Sequence, residues 1–332
     1  MSWLGIFGGV LVGAGFGYVS RRGGFCLNSG FRNAVVSGDF TKLKALGLAV
    51  GLQLILLPVL FASGAAQLGL PAFAPVGAVF GGVLFGLCMR WAAGCAAGVV
   101  YKAGARSVRG MIGMLGMSLG AGALEVGPLL PLRTWALGLA PVTNVNLAEA
   151  LHLPLKIVGP LLGVVLVGGL WRSKTSTAGA WTWRRTGMLL ALVSLAAWPL
   201  SELAGRSFGL AVIPGAVGLV SAPLGIDFSS FDVAMVAGIF VGGWLASLHD
   251  RAPADGADKG KPMPAKVMLQ TLVAGLGLGV GASLAGGCTV GHGITGLPLL
   301  APGSMTAFAA IALGAVLTAL PQRRARLLAE AS

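Results

Sequence analysis

Residues 90–98, RWAAGCAAG, and residues 283–291, SLAGGCTVG, repeat one pattern at an offset of 193 positions. A weaker match relates residues 23–27 to residues 206–210 at an offset of 183. Matching segments of this kind are typical of polytopic membrane proteins that are built from two structural repeats. The sequence therefore predicts two related halves, each with two glycine-rich segments.

The composition is that of a membrane protein. Hydrophobic residues make up 56% of the 332 residues, charged residues make up 10%, and the mean hydropathy is +0.87. A soluble domain carries about 25% charged residues, so the predicted fold class is an all-α polytopic membrane protein. A helix needs about 20 mostly apolar residues to cross a bilayer. The predicted transmembrane helices are nine apolar runs: residues 3–20, 43–62, 74–90, 107–124, 155–172, 186–203, 231–249, 266–283 and 303–320.

The basic residues set the predicted orientation. A net charge of +13 would suggest a nucleic-acid partner for a soluble chain, but in a membrane protein the placement of Lys and Arg is the informative quantity. If the N-terminus lies outside, all but three of the 23 basic residues fall in cytoplasmic segments; the exceptions are Arg133, Lys156 and Arg206. Because cytoplasmic loops carry an excess of positive charge, we predict a multi-pass protein of the bacterial inner membrane. Its N-terminus lies outside, its C-terminus lies in the cytoplasm, and nucleic acid is not a partner.

Four stretches between the spans are too apolar for ordinary loops and too rich in glycine for a full crossing. They are residues 21–36, 91–104, 205–222 and 285–302. Non-helical backbone at membrane depth is tolerated only where it is buried in protein or lines a cavity, so each stretch is interpreted as a short re-entrant half-helix. The additional span at residues 155–172 reverses the insertion direction of the second copy. The predicted architecture is therefore an inverted repeat in which half-helix ends frame a site near the midplane.

These features divide the chain into four parts. Residues 1–124 form the first repeat, with four spans and two re-entrant segments, and residues 186–322 form the second, inverted repeat. Residues 125–185 hold an external loop and the connecting span. Residues 323–332 form a basic cytoplasmic tail. Within the second repeat, residues 250–265 are rich in Asp, Lys, Gly and Pro and are predicted to be a flexible linker.

The four cysteines are predicted to be free thiols, because they lie in or beside apolar segments rather than in secreted loops. Cys26, Cys95 and Cys288 lie in glycine-rich segments, whereas Cys88 lies within a span and is interpreted as a structural residue. A thiol at the start of a half-helix faces the positive end of the helix dipole, which favours an anion. Because S–H groups are weak donors, a polarizable sulfur-bearing anion suits them better than a hard, strongly hydrated one.

Three cysteine motifs carry a resemblance to a known family. They are Gly24-Phe-Cys26, residues 94–98 (GCAAG) and residues 286–293 (GGCTVGHG). With them, the chain resembles the YeeE/YedE family of sulfur transporters over nearly its whole length. The resemblance implies an hourglass-shaped thiosulfate importer with nine crossing helices and four short ones. It also implies that the three cysteines line a central path and pass the anion on through successive S–H contacts. Related sulfur or selenium anions stay open as substrates.

The resemblance also implies a partner, because a small TusA-like sulfur carrier acts on the cytoplasmic side in this family. Glycines beside the three thiols complete the predicted translocation site, since they permit close backbone approach. These are Gly24, Gly94 and Gly287, together with Gly209, which takes the place of Cys26 in the second half.

Several polar residues near these motifs have two interpretations. Arg206 precedes a half-helix and could guide anions inward, or it could pair with Glu202 one turn earlier. Arg90 and Lys102 flank the second re-entrant segment, and each could attract the anion or serve only the topology. His292 follows the third cysteine by four residues, which suggests a metal site or a nucleophile with its base. We favour a hydrogen-bonded histidine in a small-residue interface.

The prediction is therefore a transporter rather than an enzyme, with no cofactor and no metal ligands. Two alternatives come from other classes. A membrane-bound sulfurtransferase would need a low-pKa cysteine that forms a persulfide. A soft-metal transporter would use thiols and the ten methionines as ligands, although a cation path fits poorly with half-helix N-termini that face the site. The interior of the predicted spans contains no acidic residue, so the sequence offers no candidate proton relay.

Overall fold

The structure is a computed structural model that describes residues 3–69, 73–139, 147, 155–249 and 263–331, and most of these are helical. In chain order the helices are α1 (Trp3–Arg22), α2 (Leu27–Ser37), α3 (Thr41–Ala62), α4 (Pro75–Cys88), α5 (Ala96–Gly104), α6 (Val108–Glu125), α7 (Leu130–Gly138), α8 (Leu155–Trp171), α9 (Trp183–Glu202), α10 (Ile213–Ser221), α11 (Ser230–His249), α12 (Ala265–Ala285) and α13 (Pro302–Ala331). An antiparallel hairpin, β1 (Thr177–Ala178) and β2 (Trp181–Thr182), connects α8 to α9. The remaining helical turns are two 3-10 turns and one π-helical turn: Ala222–Leu224, Leu297–Leu299 and Gly291–Gly296.

The apolar helices confirm an all-α membrane protein. Among the described residues, five helical segments are long and apolar enough to cross a bilayer, or six if α6 and α7, which are bent by 69°, form one broken span. The five are Trp3–Ser37, Thr41–Ala62, Ser230–His249, Ala265–Ala285 and Pro302–Ala329. Helices α4 and α8 are apolar but shorter. Each predicted span lies on a helix, but nine crossings stay a prediction.

Each of the four glycine-rich stretches contains a short helix that follows a break in the backbone. Three of these are α2, α5 and α10. The fourth is the helical segment 289–299, which combines a first turn with the π-helical and 3-10 turns. Gly286, with φ of +78°, ends α12 in the left-handed conformation. The chain can turn sharply there because glycine adopts positive φ without a steric penalty.

Glycines bring helices of the two halves into backbone contact. On α1, Gly9, Gly13 and Gly17 face α11, and a Cβ atom at Gly13 would overlap the carbonyl group of Met235. Gly242 on α11 lies in the same way against α1. Small residues at four-residue spacing allow helix backbones to approach closely in membranes. The two helices are therefore joined at backbone distance over several turns.

The long helices of each half pack on those of the other half. Helix α1 packs on α11 and α3 packs on α9, while α4 packs on α13 and α6 packs on α12. If the two predicted halves are exchanged, the α1–α11 contact corresponds to the α3–α9 contact. The α4–α13 contact then corresponds to the α6–α12 contact. Buried residues from both halves accordingly form a common hydrophobic core.

The helices that the predicted repeat pairs, α1 with α9 and α4 with α12, run in opposite directions where they meet. Gly8, in the first half of α1, lies against Leu200 near the end of α9, whereas Gly15, further along α1, lies against Val193. Helices α4 and α12 are antiparallel by the same kind of contact. An inverted repeat requires this relation between its first helices and between its third helices.

Two predicted segments lie partly outside the described residues. Of the external loop at residues 125–154, the structure describes residues 125–139, which include α7, and Leu147, whose N–H donates to the Leu300 carbonyl at 2.9 Å. The predicted linker at residues 250–265 is described only from residue 263 onward. The predicted tail at residues 323–332 is not a separate element up to residue 331, because α13 continues through it.

Candidate functional site

Each of the three predicted cysteines stands immediately before the first turn of a short helix. Cys26 precedes α2 and Cys95 precedes α5, both with an extended backbone and without a side-chain capping bond. Cys288 precedes the segment that begins at Thr289. In each case the cysteine carbonyl accepts the first helical hydrogen bond. All three side chains are buried. The first amides of a helix lack helical partners. Because each cysteine precedes the first turn, such amides lie beside a buried sulfur atom.

The thiols of Cys26 and Cys95 are close neighbours and influence each other electrostatically. Both sulfur atoms also face Gly98, in the first turn of α5. A Cβ atom at Gly98 would lie 3.1 Å from the Cys26 Sγ and 3.3 Å from the Cys95 Sγ. Optimal contacts between non-bonded carbon atoms lie at about 3.5–4.0 Å, and a sulfur atom is larger than carbon. The absence of a side chain at this glycine therefore leaves the space that the two thiols share.

Lys102 places a buried positive charge beside this pair of thiols. Its side chain is 8% exposed, its Nζ donates to the Ala93 carbonyl at 2.6 Å, and its charge acts on Cys26. Ala93 has a φ of +73°, which is strained for a residue other than glycine. The lysine bond thus holds the turn that leads into Cys95. Of the two basic residues that flank this segment, Lys102 is the one whose charge acts on Cys26.

Thr289 connects the first pair of thiols to the third cysteine. Its hydroxyl is buried and finds no oxygen or nitrogen partner among the described residues. The Thr289 hydroxyl is one of the groups that influence the Cys95 thiol electrostatically, so the two residues are neighbours. Since a buried hydroxyl normally has a hydrogen-bond partner, an unoccupied donor between two cysteines is unusual. The sequence analysis gave Thr289 no role, because a threonine next to a cysteine carries no distinct signal.

The Cys288 sulfur lies within reach of backbone N–H groups from two helix starts. Val290 and Gly291 belong to its own segment, and Val212 is the residue that precedes α10. Backbone N–H groups at helix starts form anion sites, because the helix dipole adds a partial positive charge there. Residues at the starts of the four short helices therefore lie in the buried surroundings of the three cysteines.

Gly209 has a steric role that differs from the predicted equivalence with Cys26. A Cβ atom at Gly209 would lie 2.9 Å from the Thr295 Cγ2 and 2.9 Å from the Trp198 Nε1. Helix α10 begins four residues later, so Val212 occupies the helix-start position that Cys26 occupies before α2. A side chain at Gly209 would require Thr295 and Trp198 to move.

The other predicted glycines shape the turns before the thiols. Gly24 has a φ of +61°, and a Cβ atom there would lie 2.8 Å from the backbone N of Gly179, in the β1–β2 turn. Gly94 lies over the first turn of α5, where a Cβ atom would approach the Gly98 carbonyl carbon to 3.2 Å. At Gly287 a Cβ atom would lie 3.0 Å from the His292 Nε2. Larger residues would displace each turn.

His292 is a buried, hydrogen-bonded histidine, as favoured from the sequence. Its Nδ1 lies 3.2 Å from the Ser304 hydroxyl, and its Nε2 lies 3.1 Å from the Ala285 carbonyl. His292 lies in the segment that carries Cys288, and both of its ring nitrogens have hydrogen-bond partners outside that segment. The histidine fixes this segment against α13 and the end of α12.

Arg206 pairs with a buried acid that the sequence analysis did not consider. Its Nε lies 3.1 Å from the Asp232 Oδ2, and Asp232 is 2% exposed. Its Nη1 donates to the carbonyl groups of Phe208 at 2.6 Å and Gly209 at 2.7 Å. The predicted alternative partner, Glu202, instead accepts the backbone N–H of Gln67 at 3.2 Å. The arginine thus braces the chain before α10 through several bonds, which leaves less of its guanidinium to guide an anion.

Arg90 points toward α13 rather than toward the thiols. Its Nη1 donates to the Thr318 carbonyl at 2.9 Å, and its guanidinium lies 5.3 Å from the centre of the Trp91 ring. The predicted role in anion guidance therefore has no contact with Cys26 or Cys95 to support it.

The soft-metal interpretation has one further pattern in the sequence, a Met-x-x-Met-x-x-Met run on α6. Met111 is 45% exposed, Met114 packs at the edge of the core, and Met117 is fully buried. The three thioethers thus have different surroundings on a turning helix.

Comparisons with known proteins give one consistent result. The model of a family described as sulphur transport matches residues 22–317. The thiosulfate transporter TsuA of Escherichia coli strain K12 is 29% identical over 354 residues, which covers 97% of this chain and 97% of that protein. The thiosulfate transporter TsuA of Spirochaeta thermophila is 31% identical over 325 residues, which covers 93% of this chain and 96% of that protein.

Proposed function

The chain belongs to the sulphur transport family, and from this premise we propose that it carries thiosulfate, or a similar small sulfur-containing anion, into the cell across the bacterial inner membrane. Transport rather than an enzymatic reaction is the function that the family supports. Both named relatives are thiosulfate transporters and match nearly the whole chain. The observation that carries the proposal is the buried row of thiols at the starts of the short helices.

The row offers a doubly charged anion a sequence of weak binding groups. Near Cys288 the anion meets the amides of Val212, Val290 and Gly291, and each helix start contributes roughly half a positive charge. It then passes the Thr289 hydroxyl to Cys95. Next it reaches Cys26, where Lys102 supplies a full charge. Each thiol donates an S–H hydrogen bond, so no covalent bond forms or breaks.

Weak donors suit transport better than strong ones. Conduction requires sites that bind well enough to admit an ion and weakly enough to release it. A thiol is a poorer donor than a hydroxyl or an ammonium group, so three thiols in series hold the anion without trapping it. An anion with a soft terminal sulfur atom also loses less hydration free energy on entering the site than a hard oxyanion does.

The finer architecture is part of the proposal. It comprises nine crossing helices and four re-entrant half-helices in an inverted, hourglass-like repeat, with residues 1–124 and 186–322 as the two copies. The antiparallel contacts of α1 with α9 and of α4 with α12 support the inversion. The positive-inside distribution supports an external N-terminus, a cytoplasmic C-terminus and an external entrance at Cys288. A TusA-like carrier that accepts the anion in the cytoplasm is a further expectation.

The test is uptake of radiolabelled thiosulfate by a sulfur-starved host that lacks its own importer. We expect the chain to restore growth on thiosulfate as the sole sulfur source. Changing both Cys95 and Cys288 to alanine should abolish uptake, because two adjacent thiol donors are lost. Cys88→Ala is the matched control, since that thiol lies on α4 against Gly277 and outside the row. Full uptake by the double variant would overturn the thiol path.

Reconstituted vesicles separate transport from a sulfurtransferase. A transporter accumulates intact thiosulfate inside vesicles that contain no thiol acceptor. A membrane-bound sulfurtransferase would instead form a cysteine persulfide that turns over in detergent without any compartment. Detection of that persulfide at Cys26 or Cys95, without uptake, would replace the proposal.

A further inference from the structure

A basic pocket of about 280 Å³ opens away from the row of thiols. It lies between the starts of α2 and α6, the turn that follows α4, and α13. Its lining residues are Asn28, Arg32, Arg90, Trp91, Arg109, Ala315, Thr318 and Gln322. Three of them are arginines, and none of these described lining residues is acidic. The charge distribution of the chain places this face in the cytoplasm.

Among the described residues, no acidic side chain pairs with the three arginines of the pocket. Arg90 is fixed by the Thr318 carbonyl at 2.9 Å and by the Trp91 ring at 5.3 Å, and these contacts do not compensate its charge. The Nε of Arg109 is buried and has no partner among the described residues. Arg32 makes one long contact, 3.5 Å from its Nη2 to a neighbouring amide oxygen. Three like charges in one pocket repel each other, and the Coulomb energy between the arginines is therefore unfavourable.

The position of Arg109 increases the need for an anion. It is the second residue of α6, and a positive side chain in the first helical turn opposes the helix dipole. A bound anion would interact favourably with the dipole and with all three guanidinium groups. Guanidinium groups bind phosphate-type oxyanions through paired N–H donors. The three guanidinium groups therefore favour an anionic ligand with several acceptor oxygen atoms over a neutral ligand.

We propose that this pocket binds the phosphate group of an anionic ligand, and that the inner-leaflet lipid headgroup is its main source. Basic pockets between membrane helices on the cytoplasmic side bind anionic headgroups. Trp91 lies at the rim and is 36% exposed, and tryptophan favours the membrane interface. No cysteine is among the lining residues, so the pocket differs from the row of thiols in its chemistry. Free inorganic phosphate offers the same group without the acyl chains.

Native mass spectrometry of the purified, delipidated full-length protein tests the proposal. Phosphatidylglycerol and phosphatidylcholine are titrated separately into protein in a neutral detergent. We expect retention of phosphatidylglycerol and not of phosphatidylcholine. Arg90→Gln and Arg109→Gln should each weaken retention about fivefold, because one basic residue near an anionic surface contributes roughly that factor. Arg324→Gln, which changes an exposed arginine of α13 outside the pocket, is the matched control and should bind as the wild type does.

Competition on the wild-type protein requires no variant and keeps the test decisive if a variant does not fold. Displacement of phosphatidylglycerol by millimolar inorganic phosphate supports a phosphate site that also admits the free ion. Retention despite phosphate, together with the arginine effects, supports the headgroup as the ligand. Equal retention of the two lipids, or unchanged binding after the Arg90 and Arg109 changes are combined, would overturn the proposal. These readouts do not use thiosulfate, so they stand apart from any failure of the proposed transport.

Discussion

Thr289→Val should stabilise the protein and impair transport at the same time. Valine has nearly the shape of threonine but replaces the hydroxyl with a methyl group. That hydroxyl is fully buried and finds no oxygen or nitrogen partner among the described residues. A buried polar group without a partner costs about 1–3 kcal/mol, and its weak contact with the Cys95 thiol offsets little of this. Removing it should therefore raise the free energy of unfolding by about 1 kcal/mol.

Transport should change in the opposite direction. If the hydroxyl donates to the passing anion, its loss removes a hydrogen bond to a charged group, which contributes about 1.5–3 kcal/mol. Each 1.4 kcal/mol is about tenfold in affinity. Uptake at low thiosulfate concentration should thus fall at least about tenfold, whereas the thermal unfolding temperature in detergent should rise.

Thr289→Ser supplies the matched control for both measurements. Serine keeps the hydroxyl and removes the methyl group, so uptake should persist while stability falls by about 1 kcal/mol. Wild-type uptake by the valine variant would show that the hydroxyl does not meet the anion. Lower stability of that variant would show that the hydroxyl is already satisfied within the protein.

Three other predictions follow from the packing. Gly98→Ala places a methyl group against the two neighbouring thiols, so uptake should be lost while size-exclusion chromatography still shows a folded protein; normal uptake would mean that the thiols can move aside. Arg206→Ala leaves Asp232 buried and unpaired, and should lower the free energy of unfolding, measured by thermal unfolding, by about 3–5 kcal/mol. Adding Asp232→Ala should recover part of this loss. Lost uptake at unchanged stability would instead support the anion-guiding role of Arg206. Gly13→Ala should prevent folding, as judged by the yield of monodisperse protein, whereas Gly168→Ala should be tolerated because nothing lies within 4 Å of its added Cβ; equal yields would contradict the close helix contact.

Periodic and compositional features of the sequence predicted much of the fold. Apolar runs located every long helix, because the bilayer imposes a length and a composition on each crossing. Glycine-rich breaks located the four short helices, since only flexible or close-packed backbone could serve there. The motifs at Cys95 and Cys288 also indicated related positions, and the structure places both immediately before a helix start.

Contacts between distant parts of the chain could not be predicted in this way. The approach of Thr289 to Cys95 depends on how two short helices from different halves are packed, which no local pattern records. The Arg206–Asp232 pair was missed because the acid lies at the very start of an apolar helix, where it resembles an ordinary boundary residue. The short distance from Gly209 to Trp198 is likewise a tertiary contact, which a short alignment does not reveal.

The glycine contacts between α1 and α11 limit how such a transporter can move. Many carriers expose their cargo to one side and then the other by rocking two rigid bundles. Here α1 and α11 contact each other through main-chain atoms. Sliding one helix past the other would therefore break these contacts. In the proposed path, gating then falls to small elements, namely rotation of sulfhydryl groups and adjustment of short helix ends. Such motions are fast and local, which favours a fixed, pore-like scaffold over an alternating-access machine.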